Sequence, residues 1–181
     1  MASRKSYSTA LGGIVAALAV VLMFFTGVFP FATYALPALA GLLMVVIVID
    51  FDYKWALSVY AVVSILALLI TPDREAAIMF IAFFGYYPTL KSIFEKLKSR
   101  VLEWILKFLV FNVAVISAYY VIINFLGMPD IMSEINEFGK YGLFIFLGLA
   151  NVTFLIYDIA ITKLITLYLK WFKPKFLRKF N

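Results

Sequence analysis

Within LFIFLGLANVTFLIYDIAITKLITLYL, residues 143–169, the polar side chains Asn151, Asp158, Thr162 and Thr166 follow spacings of seven, four and four. Those intervals put an amide, a carboxylate and two hydroxyls on one face of a helix. The segment is otherwise apolar, and a charge in mid-membrane costs about 2.5–3.5 kcal/mol. The face should therefore turn toward protein and find partners. Lys107 sits at similar depth on the preceding apolar run, so it is expected to pair with Asp158, and Glu103, four residues before Lys107, competes for it. Asn112 and Asn151 fall near the mid-plane, Tyr119 follows seven residues beyond Asn112, and Asn124 lies farther out. Together they form a polar seam. Two chemistries stay open for it, interhelical hydrogen bonding and contact with a polar ligand. For Lys107 with Asp158 the choice is between a pair that fixes helix register and a gating or ion-coupled group.

Other chemistries are excluded by what the chain lacks. It has no Cys and no His. Disulfides, thiol nucleophiles, Cys–His metal sites and histidine proton relays therefore cannot form. No two carboxylates fall together in an apolar run, and the acids of DFDYK and TPDRE read as solvated loop residues. No glycine-rich phosphate loop is present, so the chain does not hydrolyse ATP itself. No enzyme activity, metal or cofactor is expected. Channel signatures, a selectivity-filter motif or a repeated polar ring, are also missing.

The elements that must position the seam follow from composition. Of 181 residues, 65% are hydrophobic and 14% charged; mean hydropathy is +1.03. Soluble domains are roughly 45–50% apolar and about 25% charged. The reading is an all-α integral membrane protein, one domain over residues 1–181, with six transmembrane helices at about 8–29, 32–49, 55–71, 76–90, 102–126 and 141–170. The runs are continuously apolar rather than alternating, which selects helices over a barrel. The basic N-terminus with its long apolar run reads as a retained first span rather than a cleaved signal. TGVFPFATYALP, with Pro30 and Pro37, reads as an irregular aromatic hairpin between spans one and two. Residues 91–101 read as an amphipathic helix lying in the inner interface. Tyr86, Tyr87, Trp104, Tyr168 and Trp171 read as interfacial anchors and Lys163 as a snorkelling lysine.

With the N-terminus inside, every basic residue of the 16 except Arg74 and Lys140 falls on the inner side, and the acidic loop GMPDIMSEINEFGKY falls outside. The positive-inside rule then places both termini in the cytoplasm of a plasma-membrane protein. The net charge of +6 is matched to anionic inner-leaflet lipid, not to nucleic acid.

The first span carries small residues at helical spacing: Gly12 with Ala16, and Gly13 with Ala17. Such residues let a second helix approach closely, from the same chain or from a partner. This face on the first span, six short-looped spans, inner termini and a basic loop after span four resemble the substrate-binding S components of energy-coupling factor (ECF) vitamin transporters. In that family an Ala-x-x-x-Ala pair on the first helix meets a transmembrane coupling subunit; Gly12–Ala16 or Gly13–Ala17 stands at the matching place. The resemblance implies a small-molecule substrate captured from outside beneath the hairpin, with separate ATPases supplying the work. The residues it brings to that region are Thr33, Tyr34, Asp73, Arg74, Tyr119, Asn124 and Asn151, with Asn112 deeper in the seam. Arg74 would suit a carboxylate-bearing ligand. Two other functions fit the same residues: a structural or regulatory membrane subunit without a small ligand, and a small lipid- or ion-linked carrier acting alone.

Overall fold

The structure, a computed structural model, describes residues 2–127 and 141–173. The acidic loop, Lys140 and the tail beyond Lys173 lie outside the described residues. Seven α-helices are found among those described: α1 (Ala2–Phe25), α2 (Ala35–Asp50), α3 (Tyr53–Ile70), α4 (Arg74–Met79), α5 (Tyr87–Phe94), α6 (Arg100–Phe125) and α7 (Gly142–Leu167). Five helical runs are long and apolar enough to cross a membrane: Ser6–Phe25, Tyr53–Ile70, Arg74–Phe94, Arg100–Phe125 and Gly142–Trp171. The sixth, α2, has 16 residues, about 24 Å at 1.5 Å per residue.

The short α2 is the centre of the bundle. It touches α1, α3, α5, α7 and the segment Phe80–Phe84, and Ala40, Met44 and Ile47 along it are fully buried. A helix surrounded by protein needs no polar side, and α2 has none between Ala35 and Ile49. Gly41 sets how closely α2 approaches the fourth span, because a Cβ there would run into the Phe84 carbonyl oxygen and stand 2.7 Å from the Tyr157 hydroxyl.

The fourth span is not the continuous helix that its hydropathy implies. α4 passes into a π-helical segment, Phe80–Phe84, and a turn at Gly85–Tyr86 precedes α5. Pro88 accounts for the break: it cannot donate to the Phe84 carbonyl four residues earlier, and its ring would clash there. The carbonyls exposed by the break are taken up by tyrosines. Tyr60 donates to Ile81 O at 2.7 Å, Tyr86 to Ala82 O at 2.6 Å and Tyr157 to Phe84 O at 3.5 Å.

Two loops also differ from or match the sequence reading in instructive ways. The hairpin between α1 and α2 is irregular, as expected, with a 3-10 turn at Pro30–Ala32. The amphipathic interface helix over 91–101 is corrected. Helix α5 ends at Phe94, a turn follows, and α6 begins after Ser99, whose hydroxyl accepts from Leu102 N at 3.4 Å. A serine N-cap restarts the helix, while Lys91 is drawn inward to carboxylates and is only 1% exposed.

Candidate functional site

Polar groups collect at three levels of the bundle. Call the end bearing residues 26–34 the hairpin end, and the end bearing Lys91–Arg100 the basic end.

Near the basic end, α5, α6 and α7 bring together five charged side chains. Asp158 accepts from Lys91 Nζ at 2.7 Å and from the Tyr87 hydroxyl at 2.6 Å, both at Oδ1. Lys107 Nζ stands 3.3 Å from the same oxygen. Lys91 also pairs with Glu95 at 2.7 Å, and Lys107 with Glu103 at 2.7 Å and Glu95 at 3.5 Å. Lys91, Lys107, Glu103 and Asp158 are all buried; Glu95 has the only substantially exposed side chain of the five, 38%. Removing these charges from water is costly, and pairing of this density is what makes their burial tolerable. The Lys107–Asp158 contact therefore exists, but Lys91 is the nearer cation. The sequence placed Lys91 at the interface because it sits in a run of basic residues. Tyr87, read as an interfacial anchor, is instead fully buried, with its hydroxyl on Asp158.

At mid-depth, Asn112 and Asn151 form a reciprocal amide pair. Asn112 Nδ2 donates to Asn151 Oδ1 at 2.9 Å, and Asn151 Nδ2 returns a bond to Asn112 Oδ1 at 3.0 Å. Their remaining N–H groups go to their own helices, to Phe108 O at 2.9 Å and Leu147 O at 2.7 Å. All four amide hydrogens are used, so neither side chain has a donor left for a ligand. Beside them Phe111 and Phe154 stack at 4.7 Å, and Phe83 meets both edge-on. Thr162 and Thr166 do not extend the polar face. Each hydroxyl bonds back to a carbonyl of its own helix, Asp158 O at 3.0 Å and Thr162 O at 2.9 Å. Lys163 is exposed, and Asn124 is exposed with its amide on Tyr120 O at 2.8 Å.

At the hairpin end, three elements converge. Thr33 donates to Asp73 Oδ2 at 2.8 Å, and Asp73 also caps α4 through Ala76 N at 3.1 Å. Tyr34 reaches across to Glu75, and its hydroxyl lies 2.7 Å from that of Tyr119, which itself bonds Glu75 at 3.4 Å. Burial of its hydroxyl, then Tyr119, then the bond to Glu75 push the Tyr34 pKa up, so it remains a hydrogen-bond donor at physiological pH. The acids of TPDRE are thus not a solvated turn. They hold the hairpin down. Arg74 is directed away from this group: its guanidinium donates to Leu68 O at the end of α3. Glu75 is the carboxylate bonded by both Tyr34 and Tyr119. The acids of DFDYK also have structural partners. Asp50 accepts from Lys173 at 2.8 Å and from Tyr168, and Asp52 caps α3 through Trp55 N at 2.8 Å.

On α1 the two small-residue registers separate. Gly12 is buried against α3, where a Cβ would meet Trp55 Nε1 at 3.3 Å, and the Trp55 indole donates to Ser8 O at 3.2 Å. Ala16 is half-buried. Gly13 has open space around its Cβ position, and Ala17 is exposed. Gly12 serves packing within the chain; Gly13 and Ala17 face outward.

Comparison with known proteins adds no relative: the chain matches no family model, no curated protein and no solved structure.

Proposed function

We propose that this chain is the substrate-capture subunit of an uptake system for a small nutrient, working with a separate ATP-driven module through a transmembrane coupling subunit. It spans the plasma membrane six times with both termini in the cytoplasm, and the hairpin end faces outside. The observation that carries the reading is the latch at the hairpin end. Tyr34 and Thr33 tie the aromatic hairpin to Glu75, Asp73 and Tyr119, three contacts between segments far apart in sequence. A short loop whose far contacts run through polar side chains can be released and reclosed over a ligand at lower cost than the apolar core beneath it. The outward-facing Gly13 and Ala17 support a partner helix on α1.

A second reading, a structural subunit with no small ligand, is favoured by the closed Asn112–Asn151 pair and the saturated charge cluster, since neither leaves a group for a substrate. Gentle extraction of the tagged chain from its native membrane separates the two. Two ATPases, a larger membrane subunit and a stoichiometric small molecule are expected on mass spectrometry. A constant partner set without ATPases or small molecule would overturn the capture reading. The chain has no cysteine, so single cysteines at Phe31 and Lys98 test its orientation directly. Labelling from outside at residue 31 and from the cytoplasm at residue 98 is expected, and the reverse pattern would refute the topology.

A further inference from the structure

At the basic end, the last turns of α2, the start of α3, α5 and α7 enclose a cleft of about 430 Å³. Val48 and Ile49 of α2, Pro88 and Ile93 of α5 and Ile165 of α7 give it apolar walls on three sides. Its rim carries two carboxylates, Asp52 and Glu95, and one ammonium, Lys96. Glu95 belongs to the cluster in which three carboxylates face two lysines, and it is the member whose side chain is exposed. Asp52 caps α3 through Trp55 N and makes no ion pair among the described residues. An acidic rim is out of keeping with its surroundings, where Lys54, Lys98 and Arg100 are exposed.

The chain itself supplies a segment of the matching chemistry. Past α7 it continues through Tyr168–Phe172 to Lys173, whose Nζ lies 2.8 Å from Asp50 Oδ1, and the Tyr168 hydroxyl bonds the same carboxylate. Ile49 and Phe51, the neighbours of Asp50 in sequence, both line the cleft. Residues 174–181 lie beyond the described residues, and their sequence is PKFLRKFN. Pro174 has no N–H to continue the helix, which favours a change of direction there. Lys175, Arg178 and Lys179 then alternate with Phe176, Leu177 and Phe180. Arg178 is five residues from Lys173, a reach of up to about 17 Å. Asp52 is two residues from Asp50, at most about 7 Å along the backbone. The segment is long enough to continue onto Asp52 and Glu95 the pairing that Lys173 begins on Asp50.

We infer that residues 174–181 turn back into this cleft, with Leu177 on its apolar walls and Arg178 at Asp52 and Glu95, so that the chain covers the exposed member of its own charge cluster. Exposed ion pairs are individually weak. Attachment at Lys173 offsets that weakness by holding the segment at an effective concentration on the order of mM. The inference does not depend on the capture reading; a structural subunit would carry the same contact.

The test uses the full chain, which has no cysteine of its own. The pair I93C/L177C is oxidised in detergent micelles and in vesicles containing phosphatidylglycerol, and the products are read by mass spectrometry. A disulfide within one chain should form about ten-fold faster than in V101C/L177C, since Val101 is exposed on α6 outside the cleft. Adding R178E/K179E should slow the reaction about ten-fold, as expected for the loss of two ion pairs, and R178K/K179R should retain the rate. Asp52→Asn keeps a capping side chain on α3 while removing the charge, and should slow the reaction by a smaller factor. Equal rates for the two cysteine pairs, or a disulfide that joins two chains instead of closing one, overturns the proposal. So does loss of the bond in phosphatidylglycerol vesicles, which would put the basic segment on the anionic membrane. Should I93C lower the helical circular dichroism, Y53C/L177C on the α3 side of the cleft replaces it, with the same expectations and the same refutations.

Discussion

Lys91 Nζ lies 2.7 Å from Asp158 Oδ1, while Lys107 Nζ is 3.3 Å from the same atom. The two lysines share three carboxylates, Glu95, Glu103 and Asp158. The cluster thus carries one negative charge more than it has positive ones, and that sign decides which deletion hurts most. Lys91→Met leaves three carboxylates around a single buried ammonium, and should destabilise the protein by about 3–5 kcal/mol. Asp158→Asn leaves two ammoniums with two carboxylates and a group that can still accept from Tyr87, so its cost should be clearly smaller. Reversible unfolding in mixed micelles, followed by helical circular dichroism, ranks the two. An Asp158 variant weaker than the Lys91 variant would mean that Glu95 and Glu103 do not hold the lysines.

A double-mutant cycle then separates the two cation contacts. Coupling between Lys91 and Asp158 should exceed coupling between Lys107 and Asp158, because Lys91 lies 2.7 Å from the carboxylate and Lys107 3.3 Å, while each lysine keeps a second carboxylate at 2.7 Å. Equal couplings would place Asp158 symmetrically between the lysines, contrary to the geometry.

How much of this cluster was legible from sequence depends on which residue is asked. Asp158 and Lys107 stand alone in apolar runs, and depth counting brings them together without any structure. Lys91 stands among Lys96, Lys98 and Arg100, and a basic run reads as an interfacial surface. Only the break at Pro88, which re-aims α5, turns Lys91 inward, and hydropathy is blind to that break. Tyr87 and Tyr168 fail similarly, since a tyrosine near a span end is equally a lipid anchor and a donor to a buried acid. Five spanning runs and a shorter sixth apolar helix were legible because apolar length is a one-dimensional property. The hairpin latch did not, because Tyr34 and Glu75 are separated by two helices, and Arg74 and Glu75 are neighbours in sequence that point to different partners.

The amide pair makes its own prediction. Asn151→Leu strands the Asn112 amide in an apolar setting and should cost about 1–2 kcal/mol. The double change N112L/N151L removes both partners and should recover most of that loss. Ligand capture, if measured on the assembled complex, should survive the double change, since all four amide hydrogens are already used within the bundle. Loss of capture with unchanged stability would return the mid-depth seam to the site.

At the crossing of α2 and the fourth span, Gly41→Ala should cost about 3 kcal/mol, the upper part of the range for overpacking. The obstacle is the Phe84 carbonyl, which is backbone and fixed by the π-helical turn, so it cannot rotate aside as a side chain would. Gly13→Ala is the internal control. Its Cβ position meets nothing within 4 Å, and the isolated chain should unfold at the same temperature as the unsubstituted one. A large loss from Gly13→Ala in the isolated chain would show that α1 packs differently.

The hairpin latch is tested by removing one oxygen. Tyr34→Phe keeps the ring and deletes the hydroxyl that joins Glu75 and Tyr119. A hydrogen bond to a charged group contributes about 1.5–3 kcal/mol, so amide exchange in residues 28–34 should rise by at least ten-fold while α2 and α3 stay protected. Glu75→Gln retains an acceptor without the charge and should give a smaller rise. The core beneath should be indifferent to both changes, because the latch lies above Pro37 and Ala40 rather than among them. Exchange that rises equally in the hairpin and in α2 would mean that the loop and the core open as one unit, and a loop that cannot open alone cannot admit a ligand.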